Sequence, residues 1–299
     1  MKYRQLGANG PQIPVLGFGA WPIGGGMGTV DEKQAIDTIH AAMDGGITLI
    51  DTAQMYRSSE NILGKALKGI PRDKYFMATK VSWEFGREDI QEAMENSLRE
   101  LEIDEVDLYQ VHWWNPKYAI DVTMDEMAKL QKAGKTRYLG VSNFDADQMA
   151  EAMKTAKFVA NQPQYNMFDR QIEAEDIPFM RNNGIGILAH SPLAKGLLGG
   201  KYTPDHQFEA SDERSSNPRF RGATFKNYLA IVDELKTVSG DKALSMVHLA
   251  IAWLLTEPAV TCILIGAKTP AQIEEALGAV DVTFTEDELA HIDTILAKV

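Results

Sequence analysis

The segment VDLYQVHW (106–113) begins the stretch that decides the fold, because an apolar run rich in β-branched and aromatic residues predicts a buried strand. An amphipathic stretch near residues 125–133 follows and predicts a helix, and RYLGVSN (137–143) predicts the next strand. Strands that are apolar along nearly their whole length are typical of a parallel sheet covered by helices on both faces. This strand–helix–strand unit therefore predicts an α/β fold.

The same alternation recurs along the whole chain. Further strands are predicted at VLGFGA (15–20), ITLIDTA (47–53), YFMATKV (75–81), FVANQP (158–163), GIGILAH (184–190) and TCILIGA (261–267). Further helices are predicted at residues 32–44, 88–101, 145–156, 172–182, 241–255 and 270–279. Eight strands in succession, with no Pro- or Ser-rich linker between them, predict one (β/α)8 TIM barrel domain over residues 1–299. An open doubly wound sheet is the alternative.

Three segments lie outside this repeat. Residues 2–14 predict a β-hairpin that turns at Asn9-Gly10 and closes the floor of the barrel. Residues 199–226 are polar and contain Gly, Pro, Arg and Ser, so they predict a long loop that is functional or disordered. The last 15 residues predict an extra C-terminal helix with Thr285 as its N-cap.

Composition narrows the classes of partner. Thirty Lys and Arg against 42 Asp and Glu leave a net charge of −12, which argues against non-specific binding to nucleic acid or to an anionic membrane. No apolar run is long enough to predict a transmembrane helix, and Gly, Pro and Asn interrupt the first 20 residues, which predicts no signal peptide. A single cysteine, Cys262, excludes an intrachain disulfide and suits a reducing cytoplasm. We expect a cytoplasmic enzyme.

Several familiar catalytic motifs are absent. The chain has 24 glycines, yet no stretch satisfies G-x-G-x-x-G, so a Rossmann dinucleotide fingerprint is missing. Neither Ser142 nor Ser191 lies in G-x-S-x-G, and no two of the six histidines are spaced as H-E-x-x-H. We therefore predict neither a serine hydrolase nor a metal site.

Polar side chains instead follow three neighbouring predicted strands. Asp51 ends the second strand of the repeat, Tyr56 follows it by five residues, Lys80 ends the third strand and His112 ends the fourth. In an α/β barrel these ends meet at one mouth, where active sites lie. Taken singly, a strand-end Asp often caps the following loop, and a Tyr or His is usually a packed core residue. A buried lysine ammonium, however, needs a partner of opposite charge, and Asp51 is the expected partner of Lys80.

Together these four residues suit proton transfer to or from a carbonyl oxygen. Tyrosine has an ordinary pKa of about 10, and a lysine ammonium beside its oxygen would lower that pKa by stabilising the phenolate. Asp51 would keep Lys80 charged, and a neutral His112 would orient the carbonyl group. Such a site pairs with hydride transfer, which requires a nicotinamide cofactor.

The chain resembles the aldo-keto reductase family over essentially its whole length. The resemblance rests on LGFGAW (16–21), GITLIDTAQMY (46–56), ATK (78–80), LYQVHWW (108–114), GVSNF (140–144), NQPQYN (161–166), SPLAKGLLGGKY (191–202), PRF (218–220) and ILIGAKTPAQIEEAL (263–277). It implies a reductase of aldehydes or ketones, or a dehydrogenase of the corresponding alcohols or sugars. It also implies Tyr56 as the general acid/base, tuned by Asp51 and Lys80, with His112 orienting the carbonyl.

The resemblance further implies a cofactor groove along the mouth. Its residues would be Gly19, Ala20, Trp21, Asp51, Ser142, Asn143, Gln162, His190, Ser191, Pro192, Leu193, Gly196, Lys201, Gly266, Ala267, Lys268, Gln272 and Glu275. Lys268 with Gln272 would face a ribose 2′-phosphate, which favours NADPH and leaves NADH possible. The substrate pocket is predicted to be lined by Trp21, Met55, Trp83 and Trp113, whose aromatic walls suit a sugar or a small aldehyde.

Three departures from the family pattern affect this prediction. His190 stands where the family usually has an aromatic residue stacked on the nicotinamide, and Ala276 replaces an Asn that usually contacts adenine. Arg57 follows Tyr56 and is either a solvated residue at a helix start or a ligand for an acidic substrate. Two other functions stay open, namely a nicotinamide-binding regulatory subunit of the same fold and an aldolase-type barrel that uses Lys80 as a Schiff base.

Overall fold

The eight barrel strands of the computed structural model, which describes residues 1–299, close into a parallel barrel. They are β3 (Leu16–Gly19), β4 (Leu49–Asp51), β5 (Phe76–Val81), β6 (Val106–Val111), β7 (Thr136–Ser142), β8 (Ala160–Gln162), β9 (Gly186–Ala189) and β10 (Val260–Ile265). β10 pairs with both β9 and β3, which closes the ring. The predicted TIM barrel is confirmed, and each strand lies within two residues of the predicted bounds or is shorter than predicted.

A two-stranded hairpin covers one end of the barrel, as predicted. It consists of β1 (Tyr3–Gln5) and β2 (Gln12–Pro14), which pair antiparallel. Leu6 and Ile13 are buried with the inward-facing barrel side chains of Leu49, Leu108 and Leu188. The hairpin therefore supplies the apolar plug that closes the floor, and polar residues collect at the opposite end.

Ten α-helices surround the barrel and continue beyond it. They are α1 (Glu32–Asp44), α2 (Ser59–Leu67), α3 (Arg87–Leu101), α4 (Ile120–Lys132), α5 (Ala146–Met153), α6 (Asp176–Asn183), α7 (Gly222–Asp241), α8 (Met246–Leu255), α9 (Pro270–Leu277) and α10 (Glu286–Leu296). The predicted C-terminal helix is α10, and Thr285 caps it by accepting from the backbone N–H of Glu288. No single helix is both long and apolar enough to cross a membrane; α7 and α8 meet both conditions only when taken together, and the chain bends by 85° between them.

Two helices correct the sequence-based prediction. Helix α7 is formed by residues 222–241, of which residues 222–226 belong to the predicted loop 199–226 and the following residues had no predicted element. Helix α8 is formed by only residues 246–255 of the predicted helix 241–255. Glycines near both ends of α7 made its sequence resemble a loop. In the structure one face of the helix is buried, and it includes Phe225, Leu229, Val232 and Leu235.

Helix α2 immediately follows the candidate active-site loop, and no range was predicted for it from sequence, only a helix start at Arg57 as one of two alternatives. It has nine residues and contains Gly64, which lowers helix propensity. A Cβ at Gly64 would lie 2.6 Å from the carbonyl oxygen of Glu100, so glycine is what allows α2 to pack closely on α3. Packing between the two helices outweighs the local propensity.

Candidate active site

The four predicted catalytic residues meet at the carboxyl end of the barrel. Asp51 is the last residue of β4, Lys80 lies on the adjacent strand β5, and His112 directly follows β6. Tyr56 lies in the loop between β4 and α2, and its backbone N–H donates to the carbonyl of Ala53. The parallel register of the three strands thus collects an acid, an ammonium and an imidazole beside one phenol.

A buried ion pair lies at the centre of this group. The Lys80 Nζ donates to Asp51 Oδ1 at 2.5 Å and to the carbonyl of Thr52 at 2.8 Å, and its distance to Tyr56 Oη is 3.4 Å. Lys80 and Asp51 are almost completely buried. Because an ammonium without partners is costly to bury, these contacts explain how Lys80 is kept charged inside the barrel.

The electrostatics of Tyr56 differ from the sequence-based expectation. Burial raises the pKa of Tyr56 above its ordinary value, the Lys80 ammonium opposes that rise, and Asp51 adds to it. The ring lies between Trp21 and His112, with centroid distances of 5.0 and 5.6 Å. In the resting site the phenol is therefore protonated at neutral pH, which is the state required to donate a proton.

His112 is neutral over the physiological pH range. Burial, with contributions from the charge of Lys80 and from His190, lowers the pKa of His112 to about 2. Its Nδ1 lies 2.8 Å from Ser82 Oγ, and its side chain lines the cavity at the mouth. The imidazole can therefore act as a hydrogen-bonding group without carrying charge.

The second carboxylate oxygen of Asp51 is held by two amides. Asp51 Oδ2 accepts from Gln162 Nε2 at 2.8 Å and from Gln110 Nε2 at 3.1 Å. Both amides are buried, so together with Lys80 they provide hydrogen-bond donors to both oxygens of the buried carboxylate. Sequence reasoning missed Gln110; the available signal was a polar residue in an apolar strand, two positions before His112.

The predicted nicotinamide-binding residues form one hydrogen-bonded group beside the catalytic four. Asn143 Nδ2 donates to Ser142 Oγ at 3.0 Å and to the carbonyl of His112 at 3.1 Å, and Asn143 Oδ1 lies 2.9 Å from His190 Nε2. Ser142 Oγ donates to the carbonyl of Gln162. Burial and the charges of Lys80 and Lys195 lower the pKa of His190 to about 3, so this unusual residue is a neutral imidazole at the mouth.

An elongated cavity of about 720 Å³ runs outward from the mouth. The predicted residues that line it are Gly19, Trp21, Asp51, Met55, Tyr56, His112, Ser142, Gln162, His190, Ser191, Pro192, Leu193, Gly196, Lys201, Gly266, Lys268, Gln272 and Glu275. Lys80, Ala20 and Ala267 are buried and are not part of this lining, and the exposed Asn143 is not part of it either. Two of the predicted substrate-pocket residues are not part of the lining either: Trp83 is exposed, and Trp113 packs on Phe85 and His112.

The loop after β9 has an unusual backbone where it borders the cavity. Ser191, Ala194, Lys195 and Gly196 all have positive φ values, between 46° and 97°. Non-glycine residues in this region are strained, and such strain is concentrated at ligand-binding sites. Concave turns of this kind bind anions when their N–H groups face a ligand. Here the N–H groups of Ala194 and Gly196 donate to the carbonyls of Ser191 and Leu193, so the loop's own hydrogen bonds maintain the strained backbone.

The far end of the cavity contains charged side chains that are already paired. Lys268 Nζ donates to the carbonyl of Met27, and the backbone N–H of Lys268 donates to Gln272 Oε1. Lys201 lies 3.3 Å from Glu275 in an exposed ion pair. Positive and negative groups are thus nearly balanced here, and Lys268 is the cation without a direct carboxylate contact.

Arg57, which sequence reasoning left open, lies at the near edge of the mouth. It is exposed, has a φ of 53° and precedes α2 rather than starting it. Its Nη1 donates to the carbonyl of Gly25 at 2.7 Å. The guanidinium therefore joins the loop after β3 to the Tyr56 loop.

Comparison with known proteins agrees with this geometry. The model of the Aldo/keto reductase family matches residues 15–297. This chain belongs to the aldo-keto reductase family. It is 39% identical to the aldo-keto reductase YhdN of Bacillus subtilis (strain 168), over 99% of this chain and 94% of that protein. It is 31% identical to the NADH-specific methylglyoxal reductase of Escherichia coli (strain K12), over 96% and 95%.

A solved structure is similar as well. The glycerol dehydrogenase AKR11B4 from Gluconobacter oxydans superposes on this aldo-keto reductase with a TM-score of 0.90 at 34% identity, covering 99% of this chain and 95% of that one. Aldo-keto reductases are oxidoreductases that act on carbonyl groups with nicotinamide cofactors. The chain is therefore an oxidoreductase of this kind.

Some residues around the cavity of this aldo-keto reductase were not identified from sequence. They are Met27, Gln164, Lys195, Tyr202, His206, Glu213 and Arg214. Most belong to the long segment between β9 and α7, where no periodic pattern indicates which side chains turn inward. Arg214 donates to Tyr202 Oη and pairs with Asp212, and these contacts explain how the segment is held in one conformation.

Proposed function

We propose that this aldo-keto reductase reduces aldehydes or ketones with NADPH and that Tyr56 donates the proton to the carbonyl oxygen. The observation that carries the proposal is the buried contact of Lys80 with both Asp51 and Tyr56. A phenol beside a fixed ammonium can lose its proton to the substrate because the resulting phenolate is stabilised at once.

The chain's own residues account for the proton side of the reaction. With a pKa of about 2, the His112 imidazole is uncharged at neutral pH. It donates a hydrogen bond to the carbonyl oxygen and directs that oxygen towards Tyr56. Tyr56 Oη then transfers its proton to that oxygen, and Lys80 holds the phenolate until solvent reprotonates it. Asp51, fixed by Gln110 and Gln162, keeps Lys80 charged throughout. When bound, the nicotinamide supplies the hydride to the carbonyl carbon.

The residues along the cavity fit such a cofactor. The strained loop 191–196 borders the part of the cavity proposed for the pyrophosphate. Ser142 and Gln162 line the cavity, Asn143 donates to Ser142, and the amide and hydroxyl groups of these residues suit a carboxamide. Lys268 supports a preference for NADPH because its ammonium donates to the carbonyl of Met27 and forms no ion pair with a carboxylate, so its charge can interact with a 2′-phosphate. Ala276 and the NADH-specific E. coli relative argue for a preference that is not absolute.

A small substrate suits the mouth above Tyr56, where Trp21, Met55 and His112 line the cavity. The relatives named for methylglyoxal and glycerol also favour small, oxygen-rich substrates. We therefore propose short aldehydes and hydroxyketones before bulky ketones. A regulatory subunit that only binds nicotinamide is less well supported, because the proton-transfer group is complete.

The proposal is tested by assaying a panel of aldehydes, ketoses and sugar alcohols through the absorbance of the reduced cofactor, with Tyr56→Phe as the comparison. General acid catalysis is worth about 10²- to 10⁴-fold, so Tyr56→Phe should lose most turnover and still quench tryptophan fluorescence on binding NADPH. Full activity in Tyr56→Phe would remove Tyr56 from this role. Binding without turnover of any substrate by the wild type would favour the regulatory function, and borohydride trapping of substrate on Lys80 would favour the aldolase.

A further inference from the structure

Ser82 is held firmly at the point where β5 leaves the barrel. Its side chain is buried, its backbone N–H donates to Gln54 Oε1 at 3.0 Å, and its carbonyl accepts from the N–H of Glu84 at 2.9 Å. The next residue, Trp83, has a φ of 67°, a conformation that is rare for a bulky aromatic residue. The surrounding structure therefore maintains a strained turn that directs the Ser82 hydroxyl inward.

The Ser82 hydroxyl makes one hydrogen bond, to the imidazole of His112. The distance from Ser82 Oγ to His112 Nδ1 is 2.8 Å, and no other acceptor in the protein lies within hydrogen-bonding distance and geometry of this hydroxyl. A buried hydroxyl group without an acceptor carries a desolvation cost, so its hydrogen points at Nδ1. Nδ1 is then the acceptor, and the single ring proton of the neutral imidazole resides on Nε2.

We propose that Ser82 is a positioning residue that holds His112 in the Nε2–H tautomer, so that His112 can donate a hydrogen bond to the substrate's carbonyl oxygen. The proposal rests on the role given to His112 under the proposed function. Nε2 has no hydrogen-bond partner in the protein, and the His112 side chain lines the cavity. The opposite tautomer would direct a lone pair at the carbonyl oxygen and repel it.

In the environment of His112, the tautomer of the imidazole decides whether Nε2 can donate a hydrogen bond. With a pKa near 2 the ring is uncharged in the working pH range, so protonation on both nitrogens does not supply the donor. The neighbouring His190 has a similar arrangement, in which Asn143 Oδ1 faces Nε2 at 2.9 Å and Ser191 Oγ faces Nδ1 at 3.0 Å. Because Asn143 uses its amide nitrogen elsewhere, His190 Nε2 is the donor, which makes His190 an internal reference.

The tautomer can be measured directly in the whole protein by ¹⁵N NMR after selective histidine labelling, with His112→Gln to assign its signals. The expected result at pH 7 is a proton on Nε2 of His112 and none on Nδ1. A proton on Nδ1, or a mixture of both tautomers, overturns the proposal. The measurement is made without substrate, so a failure of the proposed reaction does not change its outcome.

Variants at position 82 test the consequence for catalysis. Ser82→Ala removes the donor, so we expect a mixed His112 tautomer, an unchanged His190 signal and a kcat/KM for carbonyl reduction lowered about tenfold, as for the loss of one hydrogen bond. Ser82→Thr keeps the hydroxyl and should restore both the tautomer and kcat/KM to within about twofold.

Cofactor affinity separates positioning from general damage. The dissociation constant of NADPH, measured by fluorescence quenching, should be the same in Ser82→Ala and the wild type, because Ser82 is buried and is not one of the residues that line the cavity. A parallel loss of cofactor affinity and kcat/KM in Ser82→Ala, without recovery in Ser82→Thr, would contradict a positioning role. Unchanged kcat/KM and an undisturbed tautomer in Ser82→Ala would contradict it as well.

Discussion

Glu213 joins the long segment before α7 to the barrel mouth by accepting a hydrogen bond from the indole nitrogen of Trp21 at 3.0 Å. Its other oxygen lies 2.9 Å from Lys195 Nζ. Next to it, Asp212 forms an antiparallel bridge with Met27. Trp21, Lys195 and Glu213 all line the cavity, so these contacts place a carboxylate along the proposed path of an anionic cofactor.

Removing this charge should strengthen cofactor binding. In Glu213→Gln the amide can still accept from Trp21, whereas Lys195 becomes available to the pyrophosphate and one repulsive charge is lost. We expect NADPH to bind about three- to tenfold more tightly at low salt, with a smaller gain at high salt. Quenching of tryptophan fluorescence measures this affinity. Glu84→Gln, at an exposed ion pair with Lys117, is the matched control, and weaker binding by Glu213→Gln would contradict the prediction.

Cofactor preference should depend on Lys268 more than on Lys201. Lys268→Ala removes the cation proposed to meet the 2′-phosphate, so we expect the affinity for NADPH to fall about tenfold while that for NADH changes little. Lys201→Ala, the control, should weaken both cofactors equally because we propose that Lys201 contacts the pyrophosphate, which NADPH and NADH share. Titration of each variant with both cofactors measures the ratio. An equal loss for NADPH and NADH in Lys268→Ala would remove the 2′-phosphate contact from the proposal.

The ion pair of Lys80 and Asp51 should affect stability and catalysis in different ways. Lys80→Met leaves the Asp51 carboxylate buried without its cation, which typically costs about 3–5 kcal/mol of unfolding free energy. The double variant Lys80→Met/Asp51→Asn should recover much of that stability and remain inactive, because Tyr56 still lacks its ammonium. Urea denaturation and steady-state assays measure the two properties. Recovery of activity in the double variant would show that Lys80 is not needed for proton transfer.

Stability should fall as the pH drops below neutrality, and His112 should be one of the causes. Its pKa is 6.5 when unfolded and about 2 when folded, so between these values the unfolded chain binds more protons. The contribution is complete above pH 6.5 and is lost progressively below it, at up to about 1.4 kcal/mol per pH unit. His112→Gln should flatten the pH dependence of the unfolding free energy between pH 6.5 and 4 by that slope. Parallel curves for the two proteins would contradict the folded-state pKa.

Much of the fold could be predicted because the signals for barrel strands are local. An apolar run such as residues 106–111 requires burial on both faces, and the spacing of such runs predicts the closed parallel barrel. Helix α7 was not predicted because its sequence, with glycines near both ends, is typical of a loop. Its helical conformation depends on the packing of its apolar face in the folded protein. The extent of α2 was not predicted because Gly64 lowers local helix propensity and is favourable only where α2 packs on α3.

The candidate site divides in the same way. By itself the sequence determined which strands carry Asp51, Lys80 and His112 at their ends, and the parallel arrangement of strands is sufficient to bring such residues together. Only the tertiary structure decided that burial raises the pKa of Tyr56, and that Gln110, Ser82 and Glu213 are the partners of the catalytic and cofactor residues. Hydrogen-bond partners and desolvation depend on atoms brought together from distant parts of the chain, such as Trp21 and Glu213, which are 192 residues apart. No local pattern of sequence encodes that proximity.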